Sequence, residues 1–384
     1  MIPQAQYPTG TRTALPLALG VWHAWDLEMR LANARTSISW TPQNHNSVSK
    51  LETTTSPLND SSNLEEQTNE LLRDIANTTL GFERVFAIGF SDRMDKRDAM
   101  TTGASLLDMD LEWIEGVRAS EMNDKAYPAS ISSIVANKIR TALIFEDDID
   151  WDVTLKAQLK EFARGACAIQ DTETSHSPYG DNWDTLWLGS CAMRSRDASR
   201  LYMIPNEPTV RPVSHRGDFW WPDFSDRRDM QHSRFVLDGA DGLCTLAYAV
   251  TYDAARKILA TLSLEPNNSP FDMNLNGLCD SERKGVHFRC LAPYPPLFNS
   301  WRKAGSSFRD SDIVDLGDEW HEAFSSGITY STMLNAKRLV DGAKTATAQW
   351  PDVEVQEMDF EKFESPKGSL ISLNGDTELG GGGR

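Results

Sequence analysis

The segment Glu146-Asp147-Asp148-Ile149-Asp150-Trp151-Asp152 places five carboxylates directly after the apolar run Thr141-Ala142-Leu143-Ile144-Phe145. A hydrophobic strand that ends in acids delivers negative charge to one edge of a sheet. The carboxyl ends of strands are where open α/β folds hold their ligands. Like charges this close are costly without a compensating cation or solvent. A divalent metal carrying a phosphorylated substrate supplies that compensation. Glu146, Asp147 and Asp148 abut the strand and are the candidate metal-binding acids. Asp152 stands where the N-cap of the next helix belongs, ahead of Leu155, Leu159, Phe162 and Ala166 on one helical face.

Three familiar site types are excluded. Asp148, Asp150 and Asp152 have the alternate spacing of the first ligands of an EF-hand loop. Val153, however, replaces the glycine that loop needs, and Leu159 stands in place of its bidentate glutamate. No G-x-x-x-x-G-K-[ST] segment occurs, so the chain has no P-loop. Without G-x-S-x-G or any recognisable histidine pattern, Ser/His/Asp hydrolysis finds no support.

Other groups have two readings. Gly89 opens the turn after the strand Arg84–Ile88, and Arg93 and Arg97 follow at a spacing of one helical turn. On one helix face they suit a diphosphate; the interleaved Asp92, Asp95, Lys96 and Asp98 suit an exposed helix start as well. Trp220-Trp221-Pro222-Asp223-Phe224 lies in a long polar stretch, where aromatic faces serve a sugar ring or a core equally. Asp272, after Ser269-Pro270-Phe271, has the setting of a turn or cap residue.

These groups need a scaffold. Arg84–Ile88, Asp110–Ile114, Thr141–Phe145, Asp184–Leu188 and Leu243–Val250 read as strands. Helical spacing marks Asp95–Leu106, the Ile131-Ile134-Val135-Ile139 face, the Leu155 face, and Ala255-Ile258-Leu259-Leu262 after Thr251. Strands alternating with helices predict an α/β layer architecture around a mostly parallel sheet. Residues 1–78, rich in Thr, Ser, Asn, Gln and Pro, read as a mostly disordered leader or stalk with a short helix around Leu64 to Ile75. Residues 79–345 form the expected domain, and the acidic, Gly-ending residues 346–384 read as a disordered tail.

The net charge of −18 argues against nucleic acid and anionic membrane as main partners, while a metal or a few local arginines still allow a phosphate ligand. Five cysteines, none in CxxC spacing, argue against a zinc knuckle. At least one has no partner within the chain; Cys279 and Cys290 are close enough to bridge, and free buried thiols are the alternative. No apolar run approaches the length of a membrane span. The early outline of Arg12, Ala14–Trp22 and Ala32-Asn33-Ala34 is interrupted by Asp26 and Glu28, so no signal peptide is expected.

Several stretches line up in order: the first strand with Arg93 and Arg97, Leu143-Ile-Phe-Glu-Asp-Asp148, Trp183-Asp-Thr-Leu-Trp-Leu-Gly189, and Cys244-Thr-Leu-Ala-Tyr-Ala-Val250 with Ala254-Ala-Arg256-Lys257. Pro270-Phe-Asp272, Pro295-Pro-Leu-Phe298 and Asp310-Ser-Asp-Ile313 complete the set. Together, over roughly residues 79–340, they resemble the fungal branch of glycosyltransferase family 25, which contains lipooligosaccharide glycosyltransferases and procollagen galactosyltransferases.

The resemblance implies a GT-A-like fold that binds a nucleotide-diphospho-sugar, with UDP the expected nucleotide, and transfers a hexose to a glycan or glycoprotein acceptor. It implies a divalent metal, usually manganese (Mn2+), bridging the diphosphate and the acidic motif through Glu146 and Asp148, with Asp147 in support. Gly89, Arg93 and Arg97 fall on its donor side. For an inverting transfer it calls for a general base, and Asp272 is the candidate. Residence in the secretory pathway, in the Golgi or ER lumen, is also implied. Relatives carry a Gly-rich segment upstream of the acidic strand that helps form the donor site; between Gly116 and Ile131 this chain lacks it. A catalytically inactive, glycosyltransferase-like binding protein is therefore the alternative expectation.

Overall fold

The computed structural model describes residues 70–118, 129–172, 175–195, 200–216, 230–264, 269–280, 286–312 and 316–372. The strands are β1 (Arg84–Gly89), β2 (Glu112–Glu115), β3 (Thr141–Glu146), β4 (Ile149–Trp151), β5 (Thr185–Gly189), β6 (Ala192–Ser195), β7 (Arg200–Ile204), β8 (Arg234–Asp238) and β9 (Ala240–Leu243). They continue with β10 (Ala247–Thr251), β11 (Cys290–Tyr294), β12 (Phe298–Arg302), β13 (Gly305–Ser306), β14 (Trp320–His321), β15 (Phe324–Ser325), β16 (Thr345–Thr347), β17 (Glu357–Asp359) and β18 (Ser369–Ser372). Between them lie the helices α1 (Met94–Leu106), α2 (Ala129–Asn137), α3 (Leu155–Ile169), α4 (Tyr252–Leu264), α5 (Phe271–Cys279) and α6 (Thr332–Val340).

Alternation along the strands buries both faces of one large sheet. Val85, Ala87, Leu143 and Phe145 enter a core shared with α1 and α3, while Phe86, Ala142 and Ile144 enter a second core under α2, α4 and α5. Strands apolar on both faces need cover on both sides, and the helices supply it. On α3, Leu155, Leu159, Phe162, Ala166 and Ile169 recur at helical spacing and all are buried.

The sheet runs β18-β7-β8-β11-β5-β10-β3-β1-β2. β1 pairs in parallel with β2 and β3, and β5 with β11. The expected mostly parallel sheet is instead mixed, because β10 inserts antiparallel between β3 and β5 and β8 lies antiparallel to β11. Among the described residues no α-helix joins β5 to β10, and a parallel return needs a long crossover, usually helical.

Three further boundaries move. The expected strand Leu243–Val250 is two strands: Cys244 turns the chain with φ +61° and is disulfide-bonded to Cys191, so β9 pairs with β6 while β10 joins the large sheet. The second disulfide is Cys279–Cys290, as the spacing allowed, and Cys167 is free. Ordered structure starts before residue 79: residues 70–74 are helical, with Leu72 and Ile75 in the core. The segment expected to be a disordered tail is structured as far as residue 372. The hairpin of β16 and β17 packs Ala346, Val353 and Met358 around Tyr330, and β18 pairs with β7.

Candidate functional site

β3 carries Glu146 to the edge of the sheet next to the end of β1, whose Ile88 is its register partner. Asp147 then folds back against β1. A Cβ added at Gly89 would stand 2.5 Å from Asp147 Oδ2, so glycine is what lets strand and carboxylate approach. Gly89, expected on the donor side, makes room for Asp147.

The acids do not face one another unscreened. Lys96, in the first turns of α1, sends Nζ to Asp147 Oδ1 at 3.1 Å, Asp148 Oδ2 at 3.4 Å and Asp312 Oδ2 at 2.8 Å. Arg302 Nη1 adds a 2.7 Å bond to Asp148 Oδ2. Its position follows from β12 pairing with β4 and from the Trp301 N–H donating to the Asp148 carbonyl at 2.7 Å. Arg93 pairs with Asp312 and with Asp95 at 3.0 Å, and donates to the Arg309 carbonyl at 2.6 Å. Lys96, Arg302 and Asp312 carry much of the site, and sequence reasoning gave none of them a role. Lys96 and Asp312 lay within segments singled out for other reasons, and Arg302 had no local signal.

Arg93 and Arg97 do not converge on one ligand position. Arg97 turns toward β2, with its guanidinium 4.2 Å above the Trp113 ring and 3.5 Å from Glu115. Arg93 precedes α1 with non-helical dihedrals, which breaks the shared face expected from the spacing.

Electrostatics sort the carboxylates. Burial, then the charges of Asp148 and Asp147, push Glu146 up to about 8. Burial also raises Asp147 despite Lys96. For Asp312 burial is outweighed by its bonds to Lys96 and Arg93, which hold it below the usual carboxylate range. Lys96 is raised, because Asp148, Asp147 and Asp312 outweigh the burial of its ammonium.

The last two acids of the run are structural. Asp150 is fully buried and accepts from the Trp151 N–H at 2.8 Å, the Met333 N–H at 3.2 Å and the Ser331 hydroxyl. Asp152 accepts from Thr154 N at 3.0 Å, Thr154 Oγ1 at 2.7 Å and Tyr330 N at 3.1 Å. The helix starts two residues later than expected, so Thr154 and not Asp152 is the N-cap. Asp152 instead ties the entry of α3 to the segment before α6.

Asp272 comes to the same region from the far side of the chain. It lies in the first turn of α5, close enough for its charge to raise Glu146. Oδ2 accepts from the Cys244 N–H at 2.8 Å and Oδ1 from the Met273 N–H at 2.8 Å. Trp220–Phe224 and most of the stretch from Gly116 to Ile131 fall outside the described residues.

The donor set does not fit the expected metal centre in this arrangement. Asp148 is held by Arg302 and Lys96, and Asp147 by Lys96. Among the described residues, no three carboxylate, imidazole or thiolate groups converge to hold a metal ion. The described helices are also too short or too polar to cross a membrane. No family model matches the chain, and no curated protein matches it.

Proposed function

We propose that the chain is a GT-A-like glycosyltransferase that moves a hexose from a nucleotide-diphospho-sugar, with UDP as the nucleotide, to a hydroxyl of a glycan or glycoprotein. The observation that supports this most is the approach of Asp272 to Glu146 at the carboxyl edge of β3. In such a transfer the acceptor oxygen bonds the anomeric carbon as the bond to the diphosphate breaks, and the hydroxyl proton passes to a base. Two backbone N–H groups orient Asp272, the candidate base. The two disulfides suit the oxidising lumen of the secretory pathway.

Manganese belongs to the expectation raised by the resemblance. Since the acids do not fit it here, no step of the reading runs through a metal, and the metal is a variable of the test. Calorimetry of UDP binding, with and without manganese, on the wild type and Asp148→Ala is that test. Binding by the wild type that Asp148→Ala loses supports the reading; equal binding, or none by the wild type, overturns it.

A second reading is a glycosyltransferase-like protein that binds without turning over. Lys96 and Arg302 favour it, because they already neutralise the acids a donor complex would otherwise engage. Hydrolysis of a UDP-sugar by the purified protein excludes it.

A further inference from the structure

A second charged cluster, of opposite sign, sits at the same edge of the sheet. β11 runs parallel to β5, and β10 lies antiparallel to both β5 and β3, so β3 and β11 point the same way. Their carboxyl ends, Glu146 and Tyr294, therefore share one edge. Arg234 opens β8 at the end of β11 and donates to the Pro295 carbonyl at 2.5 Å. Beside it stand Arg211 and Arg216, both electrostatically coupled to Arg234 and to Tyr294.

The charges of this cluster are unequal. Arg234 is matched by buried Glu207 at 2.6 Å. Asp352 is taken by Ser214 at 2.6 Å and His215 at 2.8 Å. Among the described residues, no carboxylate lies within ion-pair distance of Arg211 or Arg216. Among the described residues, Arg216 donates only to carbonyls, those of Arg211 at 3.2 Å and of Gln231. Arg211 bonds the Tyr294 side chain and, at 3.4 Å, the Ser326 carbonyl, and its Nε is buried without a partner. Gly327 makes space for this side chain; a Cβ there would lie 2.8 Å from Arg211 Nη1. Burial, and repulsion from the neighbouring guanidiniums, hold both arginines below the usual arginine range. Two partly desolvated guanidiniums with no acid among the described residues, in a chain of net charge −18, are costly unless an anion meets them.

We infer that Arg211 and Arg216, with Tyr294 beside them, form a site for a phosphoryl group at the carboxyl edge of the sheet, distinct from the acidic cluster. Paired guanidinium forks match the oxygens of a phosphate. The inference does not depend on the reading of the acidic cluster. The ligand is either the diphosphate of a nucleotide donor or the phosphate of a separate molecule.

Pyrophosphate and UDP are the probes, titrated into the intact protein by calorimetry. The wild type binds pyrophosphate. Arg211→Gln weakens that binding by about tenfold or more, as expected for loss of a charge-assisted bond. Arg211→Lys keeps the charge and part of the affinity, and provides the same comparison if the glutamine variant misfolds. UDP binding lost with Arg211→Gln assigns the site to the donor; pyrophosphate binding without UDP binding assigns it to another phosphorylated ligand. No pyrophosphate binding by the wild type, or equal binding by the Arg211 variants, overturns the proposal.

Discussion

The Lys96 ammonium stands 3.1 Å from Asp147 Oδ1, so the acidic loop after β3 carries its own counter-ion. The same nitrogen reaches Asp148 and Asp312, and all four side chains are mostly buried. Removing one partner of a buried pair strands the other charge. Lys96→Met is expected to lower unfolding free energy by about 3 kcal/mol, read by urea denaturation. If manganese competes for these acids, it raises the melting temperature of this variant more than that of the wild type. Unchanged stability would show that the ammonium contributes nothing.

Burial holds Glu146 at about 8, Asp152 at about 7 and Asp150 at about 6. Each value lies above that of the unfolded chain, so folding takes up protons over the intervening range. The associated stability is present below about pH 4 and is lost as pH rises through 6 to 8, at up to roughly 1.4 kcal/mol per pH unit for each group. Urea unfolding at pH 5 and pH 8 measures it. Glu146→Gln should remove its share, so the variant gains on the wild type as pH rises. A variant that loses ground instead would contradict the assignment.

Asp152 accepts hydrogen bonds from Thr154 N, Thr154 Oγ1 and Tyr330 N. Truncation leaves these buried donors without an acceptor. Asp152→Ala is expected to cost about 2–4 kcal/mol by chemical denaturation, more than loss of a surface helix cap. A cost under about 1 kcal/mol would return Asp152 to the role of a simple cap.

Gly89→Ala puts a methyl group where Asp147 now sits. Overpacking of this kind costs about 1–3 kcal/mol, and it displaces the loop. Under the proposed function, UDP affinity falls with it. Full affinity in a folded Gly89→Ala protein would separate Asp147 from the donor site.

The Cys191–Cys244 disulfide spans a sequence separation of 53 and holds the turn that presents the Cys244 N–H to Asp272. Replacing Cys191 with alanine is expected to cost about 2–4 kcal/mol. An unchanged melting temperature under reducing conditions would contradict that.

The sequence by itself determined the groups that depend on near neighbours. The apolar run Thr141–Phe145 specified β3 and carried the carboxylates to its end. Helical spacing specified the buried face of α3. Strand–helix alternation indicated an α/β layering, since both periods are local.

Tertiary structure decided everything that rests on pairing across long separations. Whether β10 runs with or against its neighbours depends on how the chain returns from β5, not on residues within β10. The edge strand β18, short and polar, shows itself only through its ladder with β7. Asp150 resembled its acidic neighbours, and Asp152 a helix cap, until the Tyr330–Met333 segment supplied donors to both. Lys96, Arg302 and Asp312 meet Asp148 and its neighbours only because α1, β12 and the acidic loop share one sheet edge. A side chain's charge is written in the sequence, but whether that charge is free to bind a ligand depends on which opposite charge the fold places against it.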